Sequence, residues 1–141
     1  MKYHFDIKQE EEGVSVRCIE LPDCFKKIDN KKRLDSKLCQ LLSEYLFTNA
    51  KDLGIGTKKR IITSQTEIYE FDVPYYLAFP ILLRHARLKN NFSYKEASDI
   101  CGLKGIILDY ERYEMGELPS LPVFCQIVKR MPGFPIDIFF Q

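Results

Sequence analysis

The chain has 141 residues, 45% hydrophobic and 29% charged, the make-up of a folded globular protein and not of a disordered or low-complexity one. No apolar run approaches the roughly 20 residues that cross a bilayer, and the start MKYHFDIKQEEEG breaks its apolar positions with charges, unlike a secretory leader. The net charge is +1, with 13 basic and 13 acidic residues over 1–72 and 8 and 7 over 73–141, so neither half is the strongly basic body that non-specific nucleic-acid binding favours.

Along the chain, YHFDI (3–7) and VSVRC (14–18) alternate apolar and polar residues around the charged turn KQEEEG, which predicts a β-hairpin with one buried face. Pro22-Asp23 makes a turn, and Cys24 to Ile28 follow as a third strand. The period then changes. Leu34, Leu38, Leu41, Leu42, Tyr45 and Leu46 recur at helical spacing, with Asp29 or Asn30 placed to cap the start, and this stripe is expected to cover the sheet. After the loop 49–56, RIITSQTEIYEFDVP holds one or two extended stretches, of which IYEFDV (68–73) is the better strand.

From Pro80 the pattern is helical throughout. PILLRHARLKNN starts on a proline suited to a first helical position and turns Ile81, Leu82, Ala86 and Leu88 inward. FSYKEASDICG opens on a capping box, Ser93 with Glu96, and stops at Gly102. A third helix runs to near Gly116, and a fourth carries the stripe Leu121, Phe124, Val128 and Met131. The fold class is therefore α+β: a small antiparallel sheet with one packed helix over 1–73, followed by an all-α domain over 78–141.

Short helices joined by small turns suit a helix-turn-helix, whose third helix offers polar groups to the major groove; spacing alone serves an ordinary helical subdomain equally well. On the third helix Lys104, Asp109, Arg112 and Tyr113 are the candidate DNA contacts, and Lys89 and Lys95, flanking the start of the second helix, are the candidate phosphate contacts. Five cysteines, odd in number and without a C-x-x-C pair, read as free thiols of a cytoplasmic protein. His4 and His85 have no ligand spacing to them, so neither a metal nor a cofactor is expected.

Two stretches carry a resemblance. LLRHARLKNNFSYKEASDICGL…YERYEMGELPSLPVFCQIVKRM resembles the DNA-binding domain of Xre/Cro-type repressors: an arginine on the first helix (Arg87 or Arg84), S-x-x-E-x-A from Ser93, a turn at Gly102, then Glu114, Gly116, Pro119 and Ser120. The first module is similar to HicB antitoxins in Tyr3, Ile7, Gly13, Val16 and the run Leu21, Pro22, Cys24, Phe25, followed by a helix. The order of the two modules matches that family as well. The resemblance implies a partial RNase H-like module that binds a HicA-type mRNA interferase toxin, and a helix-turn-helix that represses its own operon by binding duplex DNA. A stand-alone or phage-type repressor without a toxin is the alternative.

A repressor reading two half-sites needs a two-fold pair of recognition helices, hence a homodimer or higher oligomer. The apolar tail FPIDIFFQ, with Phe134, Ile136, Ile138, Phe139 and Phe140, is the candidate dimer interface, the alternative being that it packs on its own module. Enzyme activity is not expected. A nuclease would need carboxylates converging on metal ions; Glu10 to Glu12 sit in a hairpin turn, and Asp6 is a strand-borne acid without a clear partner.

Overall fold

Period-two alternation builds the first three strands: β1 (Lys2–Gln9), β2 (Val14–Cys18) and β3 (Phe25–Ile28). They are seen in a computed structural model that describes residues 1–55, 67–103 and 107–141, the side chains of 107–109 excepted. Tyr3, Phe5 and Ile7 of β1 and Val14, Val16 and Cys18 of β2 are all buried, as the alternation predicts. The hairpin between them closes with Glu10 N–H donating to Gly13 O at 3.0 Å. Gly13 has φ 89°, and a Cβ there would strike the Ile28 carbonyl, so glycine is required.

Helix α1 (Leu34–Asn49) buries Leu38, Leu41, Leu42 and Leu46. Strand β4 (Glu67–Asp72) then returns beside β1, giving an antiparallel sheet of order β3-β2-β1-β4. Among the described residues β3 and β4 are its outer strands. Within the core Tyr3 donates its hydroxyl to Leu53 O at 2.9 Å, tying the segment after α1 to β1. The stretch RIITSQ (60–65) lies outside the described residues.

The start of α1 departs from expectation. Neither Asp29 nor Asn30 caps it: the N-cap is Arg33, in the left-handed region at φ 53°, with no side-chain cap. Asp29 and Asn30 are already engaged, since Lys37 Nζ donates to Asp29 Oδ1 at 2.8 Å and Lys32 N–H to Asn30 Oδ1 at 2.9 Å.

The chain divides into two compact units, Lys2–Val73 and Pro74–Gln141, the latter with Met1. The second unit is helical: α2 (Tyr75–Lys89), α3 (Tyr94–Ile100), α4 (Ile107–Glu114), α5 (Leu121–Arg130) and the short α6 (Ile136–Phe139). The expected start of α2 at Pro80 is corrected to Tyr75. Pro74 O accepts from both Leu77 and Ala78 N–H at 2.9 Å, so the helix nucleates on Pro74, and Pro80 sits inside it. Ala78, Phe79, Ile81, Leu82, Leu83 and Ala86 form its buried side. On α5 the fully buried residue is Ile127, while Leu121, expected inside, is 73% exposed because it stands at the first position of the helix. Among the described residues no helix is long and apolar enough to cross a membrane.

None of the five cysteines is in a disulfide, with Cys18, Cys24 and Cys101 buried and Cys125 exposed. Burial pushes the Cys18 thiol well up, Cys24 to about 12 and Cys101 to about 11, which keeps the reactive thiolate scarce at neutral pH. A chromogenic disulfide reagent at mildly alkaline pH should therefore titrate Cys125 first, and Cys18, Cys24 and Cys101 only after urea is added. Fast labelling of Cys24 or Cys101 in the folded protein would contradict their placement.

Candidate nucleic-acid interface

Helix α3 starts on a complete capping box: Ser93 Oγ accepts from Glu96 N–H at 3.1 Å, and the Glu96 carboxylate accepts from Ser93 N–H at 2.7 Å. Its end is equally defined. Gly102 takes φ 72°, Leu103 N–H donates to Ser98 O at 3.0 Å, and Gln126 Nε2 from α5 donates to Cys101 O at 2.7 Å and Gly102 O at 3.2 Å. A Cβ at Gly102 would collide with Arg130 of α5. Thus α5 covers the last carbonyls of α3, and the left-handed backbone at Gly102 favours glycine there.

Beyond the turn, α4 packs on both α2 and α3. Tyr110 is fully buried, and burial followed by the neighbouring Glu114 charge holds its hydroxyl far up in the neutral form. The helix ends at Glu114, followed by Gly116 at φ 107°. Glu117 N–H donates back to Arg112 O at 3.0 Å, closing the helix end.

One ion pair joins these elements. Arg87 of α2 donates from Nε to Glu114 Oε1 at 2.6 Å and from Nη2 to Oε2 at 3.1 Å, a two-pronged contact. Its Nη1 donates to Phe92 O at 3.1 Å in the turn before α3, and its guanidinium lies 4.3 Å from the centre of the Tyr94 ring. The side chains are 9% and 0% exposed. Burial works against the Arg87 charge, and the Glu114 hydrogen bonds and charge outweigh it, leaving the guanidinium above its ordinary range. Arg84 stands 3.9 Å from the same carboxylate. Between the two arginines that sequence reasoning left open, Arg87 makes the close contact.

The candidate DNA contacts are spread over three helices. Lys89 is exposed in the last turn of α2. Lys95 is exposed on α3, 3.2 Å from Asp99. Arg112 is exposed on the last turn of α4, where Glu117 accepts from its Nε at 2.6 Å and Nη2 at 2.9 Å. Tyr113, beside it, is half-buried. Lys104 and the Asp109 side chain lie outside the described residues. Sequence reasoning missed Glu117: it lies past the glycine stop, where no helical spacing pairs it with Arg112.

The tail folds on its own unit. Phe134 is buried, with its ring centre 6.1 Å from that of Phe79, and Phe139 lies 5.6 Å from Phe124 and 6.5 Å from Phe79. Ile136 and Ile138 are half-buried, and Phe140 is 74% exposed. Tyr75, Phe79, Leu118, Leu121, Phe124 and Phe139 line a shallow apolar groove of about 230 Å³. Among the described residues no cluster of three or more His, Cys, Asp or Glu is arranged to hold a metal ion. No protein-family model matches the chain, and no curated protein matches it.

Removing one member of a buried pair strands the other charge, a loss of about 3–5 kcal/mol. Urea unfolding of Glu114→Ala should show a loss of that order, and Arg87→Met a comparable one. The double substitution Arg87→Met with Glu114→Leu should cost well below the sum of the singles. Simple additivity would show that the two residues do not act as a unit.

Proposed function

We propose that the protein is a DNA-binding transcriptional regulator that reads duplex DNA through α4, and that it is the antitoxin of a HicB-type pair. In that role its first unit holds a HicA-type mRNA interferase and its helical unit represses its own operon in the cytoplasm. The observation that carries this reading is the Arg87–Glu114 pair. The repressor resemblance picked out Glu114 and, on the first helix, Arg87 or Arg84; Arg87, 27 positions before Glu114, meets it in one buried contact. The capping box at Ser93 and the glycine turn at Gly102 support it at two further positions of the same pattern.

Arg112 is the first choice for a base or phosphate contact, because Glu117 holds it in an exposed fork that phosphate or a guanine edge can take over. In a mobility-shift assay on the region upstream of its own gene, Arg112→Ala should weaken binding by about 1–3 kcal/mol. Absence of any shift by the intact protein at low salt would end the operator claim. A regulator without a toxin is the second reading. It is favoured by the exposed lysines Lys26, Lys27, Lys31 and Lys32, which would repel a basic RNA-binding partner.

Two half-sites call for self-association. With Phe134 buried and Phe139 half-buried in the groove, the surface left for a second copy is that groove with Phe140, Leu121, Leu118 and Tyr75, exposed by 74, 73, 41 and 65%. Light scattering should give a dimer at micromolar concentration, and Phe140→Asp combined with Leu121→Asp should give a folded monomer. A wild-type monomer would refute self-association, and a dimer unaffected by the double variant would refute this surface.

A further inference from the structure

Strand pairing gathers an unusual set of side chains on the sheet face opposite the buried one. Asp6 stands opposite Arg17 and Lys8 opposite Ser15 across β1 and β2; Arg17 stands opposite Phe25 and Ser15 opposite Lys27 across β2 and β3. With Glu10, Val16 and Lys26, these residues line a groove of about 420 Å³ in which four cations (Lys8, Arg17, Lys26, Lys27) face two acids (Asp6, Glu10). Phe25 is 58% exposed, an aromatic ring facing water on an outer strand. The Arg17 guanidinium lies 4.8 Å from its centre and donates through Nη1 to Pro22 O at 3.3 Å. Arg17 thus turns away from the carboxylate directly across from it. Asp6 Oδ1, shielded from solvent, accepts a hydrogen bond from no described residue. Lys27 meets Glu10 at 3.2 Å, an exposed contact that a stronger anion can displace.

The groove therefore offers a flat π-surface with a cation alongside, a carboxylate with one oxygen that no described residue donates to, and amines for negative charge. An acidic peptide would use the amines and leave Asp6 and the ring without a role. A nucleotide satisfies all three, because it joins a stackable base with N–H groups on its edge to a phosphate. We propose that this groove binds a nucleotide unit, with the base stacked on Phe25, a base N–H donated to Asp6 and the phosphate held by Lys8 and Lys27. The unit can come from a single-stranded nucleic acid or from a free nucleotide.

The test is fluorescence polarisation of the full-length protein with labelled short single-stranded RNA and DNA of mixed sequence, competed by guanosine monophosphate and by inorganic phosphate. Phe25→Ala and Lys27→Glu should each weaken binding about tenfold, Phe25→Tyr should keep it, and Asp6→Asn should flatten the preference among bases. Competition by the mononucleotide as strong as by the unlabelled strand identifies the free nucleotide as the source. Competition by the strand alone identifies the polymer. The proposal is overturned if neither binds at low salt, if Phe25→Ala and Lys27→Glu bind like wild type, or if inorganic phosphate competes as well as the nucleotide. Circular dichroism of each variant, whose substituted side chain is exposed or half-exposed, checks that the fold is retained.

Discussion

The helical unit is organised around a charge that has nowhere else to go. Once Arg87 is buried on α2, water no longer solvates it, and its donors must be met from within the protein. Glu114 meets two of them, the Phe92 carbonyl a third, and the Tyr94 ring covers the face of the guanidinium. Those groups belong to α2, the turn after it, the first residue of α3 and the last of α4. Apolar contacts alone would let α4 slide or rotate on α2 at modest cost. A two-pronged ion pair has one geometry, so it fixes the register of the helix on which the proposed recognition residues stand.

The surface of that unit follows a different rule. Two of its exposed cations are matched locally, Lys95 with Asp99 on one helix face and Arg112 with Glu117 across a glycine stop. Such exposed pairs are worth at most about 1 kcal/mol each, so they hold side chains in place without committing them. A near-neutral total charge is compatible with an anion-binding face on these terms, because each pair can open toward a phosphate at little cost.

What could be read from the sequence was what repeats locally. Alternation gave the buried residues of β1 and β2, the leucine spacing gave α1, and Ser93 with Glu96 gave the cap of α3, since each signal spans only a few residues. The errors came where a distant or already engaged group decides. Asp29 and Asn30 look like caps until Lys37 and Lys32 claim them, and Pro80 looks like a start until Pro74 nucleates the helix earlier. Leu121 fits the apolar stripe of α5 but stands at its first position, outside the packed side. At the candidate site the pattern selected Glu114, but only the fold chooses Arg87 over Arg84, three residues away on the same helix, and brings Glu117 to Arg112.

The outer strands of the sheet bear on what the protein can become when crowded. Among the described residues β3 is four residues long with lysines at 26 and 27, and β4 carries Glu67, Glu70 and Asp72. Unpaired strand edges are templates for fibrils, and short length and exposed charge are the usual protection. Here the two edges carry side chains of opposite sign, each partly neutralised by a neighbour (Lys27 by Glu10, Glu67 by Lys31, Glu70 and Asp72 by Lys2), so a copy approaching like edge to like edge meets only a weak repulsion. An unlike approach stays open, and it joins copies head to tail without closing. Raising the salt screens both effects, and neutralising the acids on β4 would remove the guard from one side of the sheet while leaving its fold intact.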